Sequence, residues 1–186
     1  YKSLGAKRVV GIDLSSKMIA VAKSNYKDIE FINLPIEDIN EINSKFDIVC
    51  SSLAVSYVED FNTLVKNIYN LLNDNGYLIF SQDHPLSTCY SYDKGPRWEL
   101  DSGCNKISSR TFDYSISGRR ESLWNNEVVV KYHRPFYDIL NTLIETGFII
   151  EKVLEPILSE DLMNKYPSFL DNLHRPDFLV IRSRKQ

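Results

Sequence analysis

Apolar positions near the start of the chain fall into two patterns in succession. Val9, Val10 and Ile12 cluster within "RVVGID", and Ser15-Ser16 separates them from Met18, Ile19, Val21 and Ala22 at helical spacing. A β-branched run of this kind predicts a buried parallel strand over about 7–13, and the serines can cap a helix over about 15–25. "DIEFINL" predicts a second strand and "PIEDINEINSK" a polar connection. "FDIVC" places an apolar strand at 46–50, followed by a loop or turn of helix. Leu64, Val65, Ile68, Leu71 and Leu72 then mark a helix with Asp60 as its cap and Asn-Gly at its exit, and "YLIFSQDHP" is another buried strand. Strands separated by helical segments predict a doubly wound α/β fold with a parallel sheet.

The alternation breaks at His84-Pro85. Residues 85–131 are rich in Ser, Tyr, Asp and Gly, and "SRTFDYSISGRRESLWNNEVVVKYH" predicts two alternating strands around "SGRR", with Arg119-Arg120 as exposed turn charges. Helical spacing resumes in "FYDILNTLIETG". "FIIEKVLEP" reads as a strand, 159–172 as a short helical stretch and "DFLVIRS" as the last strand.

Composition narrows the class. The 186 residues are 43% hydrophobic and 25% charged, which suits one globular domain, 1–186, with a substantial core. A net charge of −3 with scattered Lys and Arg predicts no nucleic-acid partner and favours a small molecule. Cys50, Cys89 and Cys104 are widely spaced and lack a CxxC pair, so neither a disulfide framework nor a metal site is predicted, and a cytoplasmic setting fits. No apolar stretch approaches membrane-spanning length, and no membrane partner is expected.

Asp13 poses the main chemical question. An acid at the carboxyl end of a strand can accept hydrogen bonds from both ribose hydroxyls of a nucleotide cofactor, and an Asp before Ser-Ser can equally be a helix N-cap. "YKSLGAKR" reads as the tail of a helix closing at Gly5, which points to a segment upstream of Tyr1.

Three segments in order, "VVGIDLSSKMIAVAK", "FDIVCSSLAVSYVED" and "LLNDNGYLIFSQDHP", resemble the second-, fourth- and fifth-strand motifs of the Rossmann-like, class I S-adenosylmethionine-dependent methyltransferases, especially the small bacterial type 11 group. "VKYHRPFYDILNTLIETGFIIEKVLEP" and "RPDFLVIRS" resemble the closing segment of a subgroup of that family. The resemblance implies a sheet of order 3-2-1-4-5-7-6 with the last strand antiparallel beside the fifth, and an insertion, here 85–131, covering the substrate. The family's first strand and glycine-rich loop would precede Tyr1. The expectation is therefore a C-terminal portion of a catalytic domain, unstable alone, completed by an N-terminal segment or a swapped partner chain.

The same resemblance implies S-adenosylmethionine as cofactor and methyl transfer to a small-molecule acceptor. It assigns Asp13 to the ribose and Leu14 and Met18 to the adenosine pocket, although Met18 also suits a core position. Pro35 stands where the family has an adenine-binding Asp, which leaves the Ile36 N–H and Glu37 or Asp38 as substitutes, or the two acids as solvated loop residues. Ser51 and Ser52 would line the amino-acid end of the cofactor. Ser56 replaces a histidine found in many relatives, and Tyr57 either faces the cleft or packs beneath the helix.

Methyl transfer from a sulfonium is mainly alignment and water exclusion, with a base needed only where the nucleophile must lose a proton. His84 and His133 are the candidate catalytic bases, and His174 reads as structural. Arg134 is the candidate for an anionic substrate group, while Trp98, Trp124 and the insertion's tyrosines either wall a pocket or form the insertion's own core. Two competing readings are an NAD-dependent oxidoreductase, since its ribose would also suit Asp13, and a non-catalytic binding module. The absence of a YxxxK pair weighs against the first.

Overall fold

The computed structural model describes residues 1–186 and divides into two compact units, Tyr1–Ser44 and Lys45–Gln186. In the first unit a 3-10 turn, Lys2–Leu4, closes on Gly5 in the left-handed conformation (φ 92°). Strand β1, Val10–Asp13, then runs into helix α1, Ser16–Asn25. Strand β2, Glu30–Asn33, pairs parallel with β1 from Val10↔Glu30 to Asp13↔Asn33. A Cβ on residue 11 would lie 2.8 Å from the Phe31 ring, which explains a glycine inside β1. A 3-10 segment, Ile36–Glu41, occupies part of the predicted polar connection. Ile19, Leu34 and Ile39 are this unit's buried apolar residues.

The second unit opens with β3, Phe46–Ser52, a 3-10 turn at Val55–Tyr57, helix α2, Phe61–Leu71, and β4, Leu72–Asp83. Asp60 caps α2 by accepting from Thr63 N–H at 2.9 Å. The predicted Asn-Gly exit is an irregularity within β4, where the partner of β3 jumps from Leu72 to Tyr77 and Asn75 adopts φ 63°. The insertion contributes α3, Pro85–Thr88, and two antiparallel hairpins: β5, Trp98–Leu100, with β6, Lys106–Ser109, and β7, Gly118–Trp124, with β8, Glu127–His133. Helix α4, Phe136–Thr146, ends on Gly147 at φ 107°, and β9, Phe148–Leu154, follows. Helix α5, Glu160–Lys165, and a 3-10 segment, Pro167–Leu173, lead into β10, Phe178–Lys185.

The sheet of this unit has the order β3-β4-β10-β9, with β3 parallel to β4 and β10 antiparallel to both neighbours. This is the 4-5-7-6 half of the implied order. Leu78, Phe80, Leu179 and Ile181 are essentially fully buried in its two central strands, as are Leu64 and Val65 of α2 and Ile139 and Leu143 of α4. The alternation in β4 and β10 therefore corresponds to a filled core.

Three expectations are corrected. The hairpin does not turn at "SGRR": Gly118 begins β7 and the chain reverses at Asn125-Asn126, whose φ angles of 50° and 65° suit a primed two-residue turn. Arg119 and Arg120 consequently lie in a strand. Neither β1 nor β3 is buried, because each has a strand neighbour on one side only, and Ile48 is 54% exposed.

Candidate functional site

In the first unit, parallel pairing sets Asp13 and Asn33 side by side at the carboxyl ends of the strands. The Asn33 amide donates to the carbonyls of Asp13 and Leu14 at 2.9 and 2.8 Å, pinning the β1–α1 junction. Ser15 is the helix cap, accepting from Met18 N–H at 3.3 Å, so the N-cap reading of Asp13 is set aside. Asp13 Oδ1 accepts instead from Ser15 N–H at 2.7 Å. That bond fixes the carboxylate and leaves Oδ2 without a protein hydrogen bond on an exposed residue.

Leu14 is exposed, and Met18 is 57% exposed on α1, so the core reading of Met18 is corrected. Ile36 is half-buried, and Glu37 and Asp38 are exposed in the first turn of the 3-10 segment, where acidic residues suit its amino end.

The second unit carries a half-open cavity of about 330 Å³ at the carboxyl ends of β3 and β4. Leu53, Asp83, Asp177 and Phe178 come from the strand ends. The insertion supplies Ser87 and Thr88 from α3, Tyr90 and Arg97 from the following segment, and Arg120, Leu123, Trp124, Val129 and Lys131 from the β7–β8 hairpin. Lys131 pairs with Asp83 at 2.8 Å, and its ammonium also sits 5.6 Å from the centre of the Tyr57 ring. Tyr57 lines the cavity and is 42% exposed, so the packing alternative is corrected. Ser52 ends β3, exposed, while the Ser51 hydroxyl is buried without a hydrogen-bond partner.

Neither candidate base lines this cavity, and both are engaged at each ring nitrogen. His84, 3% exposed, accepts from Leu86 N–H at Nδ1 (3.1 Å) and donates from Nε2 to Glu155 at 2.8 Å. His133, fully buried, donates from Nε2 to the Tyr114 carbonyl and accepts from the Thr88 hydroxyl at Nδ1, both at 2.8 Å. Burial holds the pKa of both below the ordinary histidine value, outweighing the Glu155 bond in one case and the Tyr114 bond in the other. Both candidate bases are thus held by protein partners, and as neutral imidazoles they tie α3 to its surroundings.

Arg134 likewise has protein partners. Its guanidinium donates to the carbonyls of Val58, Glu59 and Tyr132 and lies 5.1 Å from the centre of the Phe61 ring. Burial lowers its pKa to about 10. Trp124 lines the cavity, whereas Trp98 does not and lies under the Arg175 guanidinium, whose carbon is 5.1 Å from the ring centre. The cationic lining comes from Arg97, Arg120, Lys131 and Arg175, for which the sequence reading assigned no site role. The available signal was "HRPDF" and "GPRWE", where an arginine adjoins Pro and aromatic residues at the edge of a buried strand or hairpin.

The methyltransferase-domain family model matches residues 1–80. A Haemophilus influenzae protein of uncharacterized activity is 37% identical over 193 residues, spanning 100% of this chain and 75% of its own length. A Listeria monocytogenes structure assigned as an S-adenosylmethionine-dependent methyltransferase superposes with a TM-score of 0.87 at 33% identity, covering 100% of this chain and 82% of that one. A Mesorhizobium loti S-adenosylmethionine-dependent methyltransferase does so with a TM-score of 0.84 at 31% identity, covering 99% and 83%.

The chain belongs to the S-adenosylmethionine-dependent methyltransferases. Its α/β fold is the Rossmann-like one of that class, and its cofactor is S-adenosylmethionine rather than a nicotinamide. The residues of each unit, taken by itself, fit part of such a group: in the first, Asp13 offers an exposed carboxylate oxygen without a protein partner; in the second, Ser51 offers a buried hydroxyl without one. No helix is long and apolar enough to cross a membrane.

Proposed function

We propose that this chain takes part in methyl transfer to a small-molecule acceptor held in the cavity of the second unit. The observation that carries the reading is the cavity itself, lined largely by the insertion and placed at the strand ends where ligands of open α/β sheets bind. In the first unit Asp13 holds ribose hydroxyls, with Leu14, Met18, Ile36 and Glu37 shaping the adenosine end. Ser51 and Ser52 take the cofactor's amino-acid end. When bound, S-adenosylmethionine supplies a methyl group on a positively charged sulfur.

The chain's own residues orient the acceptor and exclude water. Tyr57, Leu123, Trp124 and Val129 provide apolar wall, while Asp83, held by Lys131, is a carboxylate able to orient a polar hydrogen. With both histidines engaged elsewhere, the arrangement suits an acceptor atom that attacks without first giving a proton to imidazole.

The finer reading, that this chain is the C-terminal portion of a longer catalytic domain, is supported by the one-sided pairing of β1 and β3. In the family's order a further strand pairs with both of their counterparts. Calorimetric titration of S-adenosylhomocysteine into this chain, and into one extended upstream, tests the reading. Binding by the extended chain, much weaker after D13A, is the expected result; no binding by either would overturn it.

A further inference from the structure

The cavity's lining is strongly unbalanced in charge. Arg97, Arg120, Lys131 and Arg175 stand against only Asp83 and Asp177, an excess of two positive charges. Lys131 is neutralised by Asp83, and Arg120 spends its guanidinium on the Asp113 and Ile116 carbonyls. Of the other two, Arg175 meets Asp177 through one nitrogen only, and Arg97 has no carboxylate partner.

Arg175 is 6% exposed, and only its Nη2 has a carboxylate partner, Asp177 at 2.6 Å. Its Nε and Nη1 are buried with no hydrogen-bond acceptor. Arg97 makes no ion pair; its guanidinium carbon lies 4.3 Å from the centre of the Tyr90 ring. Burial and the neighbouring Arg175 charge both lower the Arg97 pKa, which is the response of a cation short of counter-charge.

Buried guanidinium donors without acceptors are costly, and native proteins rarely leave them so unless a ligand completes the set. Trp98 under Arg175 and Tyr90 under Arg97 hold both guanidinium groups by cation–π contact, which uses none of their N–H groups. Apolar residues occupy much of the remaining wall.

We infer that the acceptor is an amphipathic organic anion whose carboxylate or phosphate is bound by Arg175 and Arg97 and whose apolar body lies against Leu123 and Val129. This rests on the acceptor reading above and names the class of molecule it takes.

The test titrates the full chain with benzoate, phenyl phosphate, benzamide and benzylamine by ligand-observed NMR, in wild type, R175Q and R97Q. At least one anion binds the wild type about tenfold or more tightly than benzamide, benzylamine does not compete with it, and each substitution weakens the anion while sparing benzamide. Preference between benzoate and phenyl phosphate assigns carboxylate or phosphate. Equal binding of anion and amide, no binding of either anion, or unchanged anion affinity in both variants overturns the inference. If R175Q fails to fold, R97Q decides, because Arg97 is half-buried and makes no ion pair. Anion binding by this chain without S-adenosylhomocysteine binding by the upstream-extended chain would contradict the cofactor reading alone; the reverse would contradict this inference alone.

Discussion

Two polar regions of the second unit differ in one respect that separates structure from site. Around His84 and His133 both ring nitrogens of each imidazole have a protein partner. Around Arg97 and Arg175, which line the cavity, charge exceeds counter-charge and two buried donors have no acceptor. A saturated polar cluster holds elements together and has nothing left to offer a ligand. An unsaturated one carries a free-energy cost that a bound molecule would offset. Titratable side chains at a sheet edge are therefore weak indicators of chemistry until their partners are counted.

The largest effect should come from breaking the saturated side. His133→Leu leaves the Tyr114 carbonyl without its donor inside a fully buried site, and should lower unfolding stability by about 1–3 kcal/mol in chemical denaturation. Asp13→Ala probes the equivalent contrast in the first unit, where one carboxylate oxygen is held and the other has no protein partner. It should reduce S-adenosylhomocysteine affinity of the upstream-extended chain about tenfold, with a much smaller change in stability.

Acid sharpens the same comparison more gently. Because the folded pKa of both histidines is depressed, the unfolded chain takes up protons first as pH falls below about 6.5. The stability they contribute is complete above that pH and is lost as pH drops toward their folded values. Melting temperature should therefore fall below pH 6.5, less steeply in H133Q. At the small end, Arg119 is exposed and paired with Glu121, so R119A should shift stability by no more than about 0.5 kcal/mol and leave anion binding unchanged.

The sequence made the framework legible because burial writes itself into periodicity. The α2, β4 and β10 patterns correspond to the filled core, and the antiparallel insertion of the last strand followed from the motif resemblance. The failures have specific causes. Asn125-Asn126 outcompeted "SGRR" as the turn because two consecutive residues there adopt positive φ, which Asn tolerates and the flanking strands require. His84 and His133 stand out by residue type and by their place at strand ends, neither of which reveals that both ring nitrogens have partners. Arg175 was overlooked because its significance lies in hydrogen bonds it does not make, a property visible only once Asp177 and Trp98 are placed around it.

The contrast is most directly tested by observing the side-chain N–H groups themselves. In the ¹⁵N-labelled chain, adding benzoate or phenyl phosphate should shift the Nε–H signal of Arg175 and slow its hydrogen exchange. The His84 and His133 ring nitrogens should keep the chemical shifts of the neutral Nε2–H tautomer throughout. An Arg175 signal indifferent to both anions, with the His133 ring shifting instead, would contradict the account.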